Sequence, residues 1–139
     1  MSSEDDPLGY LLHRAAAALR TEVTAGALEP LKLSFPQYIC LRILARWPGQ
    51  SNAELARAVN VSPQAMNMVL RALQERGLVT RPATVASGRS LPAELTRKGT
   101  DMLADLVTRV EAAEDRILGD LTDHQRHELR HLLNKVHPA

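Results

Sequence analysis

The residues best suited to chemistry in this chain are two amides and a guanidinium within one short segment. Gln64, Asn67 and Arg71 follow one another at intervals of three and four residues, and such intervals place side chains on one side of an α-helix. In a major groove of DNA, an amide can pair with an adenine edge, and a guanidinium can neutralise a phosphate. The spacing therefore indicates a helix able to contact DNA, although an ordinary amphipathic surface helix has the same pattern.

The rest of this segment predicts the helix itself, over residues 62–76. The hydroxyl of Ser62 can accept a hydrogen bond from the first turn, and Pro63 suits the first helical position. Apolar residues recur at i, i+3, i+4 and i+7, which predicts a stripe buried against a core. That stripe consists of Met66, Val69, Leu70 and Leu73.

A second pattern, at residues 127–131, matches a zinc peptidase motif. The stretch HELRH fits H-E-x-x-H, in which two histidines one helical turn apart bind zinc and the glutamate is the general base. His137 follows at the distance of a third ligand. On the motif alone, the chain could be a metallopeptidase.

The surroundings of this motif argue against catalysis. The apolar residues of the same helix predict a buried side opposite His127 and His131, which would leave both imidazoles in solvent. These apolar residues are Leu129, Leu132, Leu133 and Val136. We therefore expect no enzyme activity, no catalytic residues, no cofactor and no metal. A zinc-responsive regulator using His124, His127 and His131 stays open as an alternative, and a zinc metallopeptidase as a weaker one.

Composition favours a mostly helical protein of one domain. The chain has 139 residues, of which 3% are aromatic, and its apolar content is mainly Leu, Ala and Val, which favours helix over sheet. Residues 54–98 contain seven Lys or Arg and three Asp or Glu. A basic centre of this kind suits a segment that binds a polyanion.

The single cysteine and the lack of a long apolar run indicate the cellular compartment in which the protein is expected. Cys40 cannot form an intrachain disulfide, and no apolar run approaches the ~18 residues of a membrane span. We therefore expect a cytoplasmic protein that does not contact a membrane. Because Cys40 lies among Ile39, Leu41 and Ile43, we expect a buried, unreactive thiol rather than a peroxide sensor.

The elements around residues 62–76 predict a helix-turn-helix followed by a hairpin. A capping box at Ser34 and Gln37 opens a helix to about Arg46, and another at Ser51 and Glu54 opens a short helix. That helix ends at Asn60, which tolerates the left-handed conformation that a tight turn requires. Two short helices with so brief a turn form a helix-turn-helix. Beyond Gly77, the stretches LVTRPA and SLPAELT predict a small hairpin that carries Arg81 and Arg89.

The two ends of the chain predict long helices with unpaired apolar faces. A helix over 7–24 should begin with Asp6 as its cap and end near Gly26, with ALEPLKL as a linker. A helix over 97–120 should bury a stripe of Leu103, Val107, Val110, Ile117 and Leu121, and Thr122 and Gln125 should cap the last helix. These faces exceed what one small lobe can cover, which predicts a homodimer through the termini.

In this order of elements the chain resembles the MarR family of winged helix-turn-helix transcriptional regulators. The resemblance rests on SNAELARAVNVSPQAMNMVLRALQERGLVTR and on GRSLPAELTRKG, which is similar to the family's wing and Leu-Thr-x-x-Gly helix start. It implies one domain over 1–139, with dimerisation helices at 7–24 and 97–136 and a DNA-binding lobe at 34–96. It also implies a ligand-responsive repressor that binds a pseudo-palindromic, inverted-repeat operator.

The resemblance assigns DNA contacts position by position. The candidate contacts are Ser62, Pro63, Gln64, Asn67, Met68, Arg71, Arg81 and Arg89. Two positions depart from the family: Ser87-Gly88-Arg89 stands where the wing tip is usually Asp-Arg-Arg, and Met68 replaces an arginine. Met68 can offer an apolar contact to a thymine methyl, and with Gln64 and Asn67 this predicts a preference for A·T-containing half-sites.

The resemblance also implies an effector, a small phenolic or aromatic acid bound between the dimerisation helices and the DNA-binding lobe. The candidate effector residues are His13, Arg14, Tyr38 and Arg42. An arginine could pair with the acid's carboxylate, and Tyr38 could stack on its ring.

Overall fold

The computed structural model of the chain describes residues 4–81 and 92–137. The helices are α1 (Leu8–Val23), α2 (Glu29–Leu31), α3 (Phe35–Arg46), α4 (Asn52–Val59), α5 (Pro63–Glu75), α6 (Arg97–Leu118) and α7 (Asp123–Leu133), and a π-helical segment, Thr24–Leu28, joins α1 to α2. Strands β1 (Val79–Thr80) and β2 (Glu94–Leu95) pair antiparallel, with Val79 opposite Leu95. The mainly helical, winged helix-turn-helix prediction is confirmed.

The central helix α3 anchors the core, because apolar residues on several of its sides are buried. It begins at the expected capping box, in which Ser34 and Gln37 exchange hydrogen bonds. It contacts α4, α5, α6 and β2. Its buried residues are Tyr38, Cys40, Leu41, Ile43 and Leu44. The lobe of short helices therefore packs around α3.

The first helix differs from its prediction at both ends. Pro7, not Asp6, occupies the N-cap position, without a capping side-chain hydrogen bond. The chain does not become a linker after Gly26 but stays helical to Leu31, and the turn comes at Lys32, whose φ is +55°. Gly26 lies within this helical stretch, next to α6, where a guanidinium nitrogen of Arg116 is 2.5 Å from the position that a Cβ would take.

Helix α6 runs along α1, but it buries a different stripe from the one predicted. Gly99, Leu106, Val110 and Ala113 are its buried residues. Of the predicted residues only Val110 is buried, whereas Leu103, Val107, Ile117 and Leu121 are half-buried. Small residues at 99 and 113 let neighbouring segments come close, which a search for large apolar residues overlooks.

Helix α7 has its predicted capping box, yet none of its residues is buried. Leu132, Leu133 and Val136, expected on an inward face, are 57%, 45% and 66% exposed. At the other end of the chain, Leu8 is 78% exposed. Within one chain, the terminal helices therefore present apolar side chains to solvent.

No helix in the described part of the chain combines the length and apolar character needed to cross a membrane.

Candidate nucleic-acid interface

The turn before α5 is built from local hydrogen bonds. Asn60 adopts the left-handed conformation that was predicted for it, with φ +64°, and the Val61 N–H donates to the Ala56 carbonyl at 3.0 Å. At the start of α5, the Ser62 hydroxyl accepts a hydrogen bond from the Ala65 N–H at 3.1 Å, and Pro63 lies in the first turn. The start of α5 is therefore fixed relative to α4.

Helix α4 also begins as predicted, at a capping box between Ser51 and Glu54. The Ser51 N–H donates to the Glu54 carboxylate at 3.0 Å, and the Glu54 N–H donates to the Ser51 hydroxyl at 3.1 Å. The hydrogen bond that the Ser51 N–H donates to the carboxylate, together with the Ser51 side chain, holds the pKa of Glu54 below its usual value. The carboxylate therefore stays charged at neutral pH, where it also favours the helix N-terminus.

Helix α5 has the two predicted faces. Met66, Leu70 and Leu73 are buried, and Val69 is half-buried against the same core. The opposite face is exposed, and Met68, at 72%, is its most exposed large apolar residue. The exposed residues include the candidate contacts Ser62, Pro63, Gln64, Asn67, Met68 and Arg71. The structure thus leaves these side chains available to a partner.

A contact that sequence reasoning missed joins this face to the base of the hairpin. Arg81, immediately after β1, donates from Nη2 to Oδ1 of Asn67 at 2.9 Å. The two residues are separated by 14 positions and lie on different elements, so no periodicity pairs them. Two predicted DNA contacts are therefore partners of each other.

The hairpin is tied to the body at its base. The Thr96 hydroxyl donates to the Gly77 carbonyl at 2.6 Å, and the Thr96 N–H donates to the Leu78 carbonyl at 3.1 Å. Gly99 packs so closely that a Cβ would lie 2.0 Å from the Leu78 oxygen. These contacts give a physical reason for the Thr-x-x-Gly spacing. The predicted tip, with Ser87, Gly88 and Arg89, lies outside the described residues.

A cavity of about 300 Å³ lies between α1, α3 and α6. The Arg20 guanidinium carbon is 4.6 Å from the centre of the Phe35 ring, which meets Tyr38 edge-on at 5.8 Å. Burial raises the pKa of Tyr38 above its usual value, and the positive charge of the neighbouring Arg42 guanidinium offsets only part of this increase. The cavity is lined by Ala16, Leu19, Arg20, Val23, Phe35, Tyr38, Ile39, Val110 and Glu114.

Of the four predicted effector residues, Tyr38 alone is among those that line this cavity. Arg42 lies beside Tyr38, whereas His13 and Arg14 are exposed further towards the N-terminus of α1. Sequence reasoning missed Arg20, although Arg20 lies one helical turn before the point where α1 becomes buried, at Val23. The position of Arg20, one helical turn before Val23, is the feature of the sequence that could have indicated its place at the cavity.

Cys40 is fully buried, as predicted. Burial raises the pKa of its thiol to about 12. At neutral pH the thiol is therefore protonated and has neither the access nor the thiolate needed for oxidation.

The histidines of α7 do not assemble a metal site. His124, His127 and His131 are exposed. On the apolar side of the same helix, Leu129 is half-buried and Leu132 and Leu133 are exposed, contrary to the prediction that this side would be buried within the chain. Across residues 4–81 and 92–137, no three side chains of His, Cys, Asp or Glu are grouped so as to hold a metal ion.

Comparisons with known proteins agree with this architecture. A model of the MarR family matches residues 33–91. The chain is 52% identical over 134 residues to the HTH-type transcriptional repressor Rv2887 of Mycobacterium tuberculosis, covering 96% of each protein.

Two crystal structures of Rv2887 are also similar. The complex with salicylic acid has a TM-score of 0.78 and 52% identity, over 95% of this chain and 97% of that chain. The complex with DNA has a TM-score of 0.81 and 47% identity, over 94% and 98%.

Proposed function

The chain belongs to the MarR family of transcriptional regulators, and from this premise we propose that it is a homodimeric repressor that binds an inverted-repeat operator. MarR proteins are dimeric DNA-binding regulators rather than enzymes. A related repressor, Rv2887, has been crystallised with DNA. The single observation that carries the proposal is the exposed polar face of α5. It lies opposite the buried apolar stripe of the same helix, whose start is capped by Ser62.

The dimer is needed because one α5 can read only one short half-site. A helix-turn-helix dimer places its two recognition helices in successive major grooves, about 34–36 Å apart. The apolar side chains exposed on α1 and α7, including Leu8 and Leu132, support helices 7–24 and 97–136 as the dimer interface. The lobe at 34–96 then contacts DNA.

On the recognition helix, we assign base contacts to Gln64 and Asn67 and an apolar contact with a thymine methyl to Met68. Ser62 and Pro63 lie at the helix start, where N–H groups point towards a phosphate. Cationic contacts with the phosphate backbone are assigned to Arg71 and Arg89, and Arg81 lies beside the recognition helix, hydrogen bonded to Asn67. This set favours A·T-containing half-sites.

The effector proposal rests on the cavity between α1, α3 and α6. Its volume of about 300 Å³ lies at the small end of ligand pockets. Phe35 and Tyr38 provide aromatic surface, and Arg20 provides a cation for a carboxylate. Rv2887 has been crystallised with salicylic acid, an aromatic acid of this kind. We assign Arg20 to the carboxylate, with Tyr38 and Arg42 beside it, in place of His13 and Arg14.

The DNA proposal is tested by selecting duplexes from a random library with the purified protein. The expected result is an inverted repeat with half-sites about one helical turn apart. Asn67→Ala should reduce the preference for this operator over random duplex, whereas a variant that weakens both equally would refute the base-reading assignment.

The effector proposal is tested by isothermal titration with salicylate and by release of the selected operator. Arg20→Ala should weaken salicylate binding at least about tenfold, because a charge-assisted bond in a half-enclosed site is lost. Arg14→Ala is the matched control on the same helix and should leave binding unchanged. Equal effects of the two substitutions, or no binding by the unaltered protein, would refute the assignment.

A further inference from the structure

The hydrogen bond between Arg81 and Asn67 has a consequence for base recognition. An arginine guanidinium carries five N–H donors and no acceptor, so the atom of Asn67 that faces it must be the oxygen Oδ1. The amide nitrogen of Asn67 therefore points away from Arg81. The donor-only chemistry of arginine thus fixes the orientation of the Asn67 amide, which the similar size of its oxygen and nitrogen would otherwise leave ambiguous.

The orientation of this amide matters because an asparagine recognises a base with both the oxygen and the nitrogen of its amide group. It pairs with adenine by accepting from N6 through Oδ1 and donating to N7 through Nδ2. After half a turn of the amide, the donor and acceptor are exchanged, and the adenine edge is mismatched. An unrestrained, exposed asparagine can rotate between the two states, because the torsion at its amide is broad and two-fold.

Arg81 removes this freedom before DNA arrives. Its bond to Oδ1 uses one of the two acceptor positions of that oxygen and leaves the other for a base. Holding a side chain in its binding orientation also lowers the ordering cost of association. The bond joins α5 to the residue that follows β1, so the base of the hairpin supports the recognition helix directly.

Resting on the proposed function, in which Asn67 reads a base, we propose that Arg81 is a positioning residue that sets the base preference of Asn67. This differs from its expected contribution as a phosphate contact. A phosphate contact strengthens binding to every sequence equally. A positioning residue changes the preference at one base pair of each half-site.

The test compares Arg81→Ala, Asn67→Ala, the double variant and Arg71→Ala by measuring affinities for the selected operator and for single-base changes in it. Asn67→Ala identifies the base pair that Asn67 reads. Arg81→Ala should reduce discrimination at that same base pair about fivefold or more, since one good base contact is worth at least that factor. At that base pair, the double variant should discriminate as well as Asn67→Ala alone does, because Arg81 acts through Asn67. The matched control, Arg71→Ala, should weaken all duplexes equally.

If Arg81→Ala weakens all duplexes by one factor and flattens the salt dependence, as Arg71→Ala does, the proposal is overturned. A second readout needs no DNA: the motion of the Asn67 amide NH2 group by NMR relaxation. Restricted motion in the unaltered protein and averaging in Arg81→Ala would support the positioning. Equal mobility in both would overturn it.

The two readouts separate this proposal from the function on which it rests. If the unaltered protein discriminates no duplex from another, the proposed function fails and the specificity assigned to Arg81 fails with it. If it selects an operator and Arg81→Ala keeps that selectivity, only the positioning proposal fails.

Discussion

Arg76 donates a hydrogen bond from its guanidinium to the backbone carbonyl of Lys32 at 2.7 Å. A second bond, at 2.9 Å, reaches the carbonyl of Leu31. Arg76 follows the last residue of α5, and Lys32 marks the end of α2. The C-terminal carbonyls of one helix are thus satisfied by a cation at the end of another, which is favourable for both the hydrogen bonds and the helix dipole. Arg76 therefore links the C-terminal end of α5 to the segment that precedes Phe35, a residue that lines the cavity.

Loss of this contact should cost stability. Arg76→Ala should lower the free energy of unfolding by about 1–2 kcal/mol, a value discounted for partial exposure. Urea denaturation followed by circular dichroism measures this change. Arg71→Ala, an exposed arginine on α5 itself, is the matched control and should change stability by less than about 0.5 kcal/mol. Equal losses in both variants would contradict the importance of the Arg76 bonds.

The glycine at 99 should tolerate no side chain. Gly99→Ala would place a Cβ 2.0 Å from the Leu78 oxygen, so the base of the hairpin must shift, at a cost of about 2–3 kcal/mol. Gly9 offers a helical control, because a Cβ there meets nothing within 4 Å. Gly9→Ala should leave stability unchanged or raise it by up to about 1 kcal/mol. Thermal denaturation of the two variants checks both values, and a stable Gly99→Ala protein would argue against the close packing.

Cys40 should not react in the folded protein. Its thiol is fully buried with a pKa of about 12, so the reactive thiolate is negligible at pH 8. Mass spectrometry after iodoacetamide or peroxide should find the native thiol unmodified and the urea-unfolded thiol modified. DNA affinity should survive peroxide. Native labelling as fast as that of the unfolded chain would show that the thiol is accessible and a redox response possible.

The salt dependence of DNA binding should identify phosphate contacts. Arg71→Ala and Arg89→Ala should each lower the slope of log K against log salt by about two per dimer, since each subunit loses the release of about one counterion. Arg109→Ala removes the same charge from α6, where Arg109 pairs with Asp105 at 3.3 Å, and is the control. Fluorescence anisotropy at several salt concentrations gives the slopes. A slope unchanged from the unaltered protein would remove that residue from the phosphate contacts.

Much of the lobe could be predicted because its signals are local. The capping boxes at Ser34 and Ser51, the left-handed Asn60 and the start at Ser62 depend on residues within one turn of one another. Each appears in the structure where the sequence placed it. The two faces of α5 could be predicted equally well, because helical periodicity fixes them without reference to the rest of the chain.

The errors arose where distant residues decide the conformation. Gly26 looked like a helix stop, yet it accommodates Arg116, whose guanidinium also pairs with Glu22 at 2.8 Å. The pattern of α7 predicts that Leu132 faces inward, yet the described residues of a single chain leave it 57% exposed. The pairing of Asn67 with Arg81 and the approach of Arg20 to Phe35 depend on how elements meet, which no spacing in the sequence encodes.

The most direct measurement of the central claim is a titration of purified protein against an inverted-repeat duplex at low ionic strength, with molar mass determined in the same samples by light scattering. Two chains should bind each duplex and prefer it to a scrambled duplex of equal length, and Asn67→Ala should lose most of that preference. A monomer that binds neither duplex, or binds both equally with and without Asn67, would contradict the account.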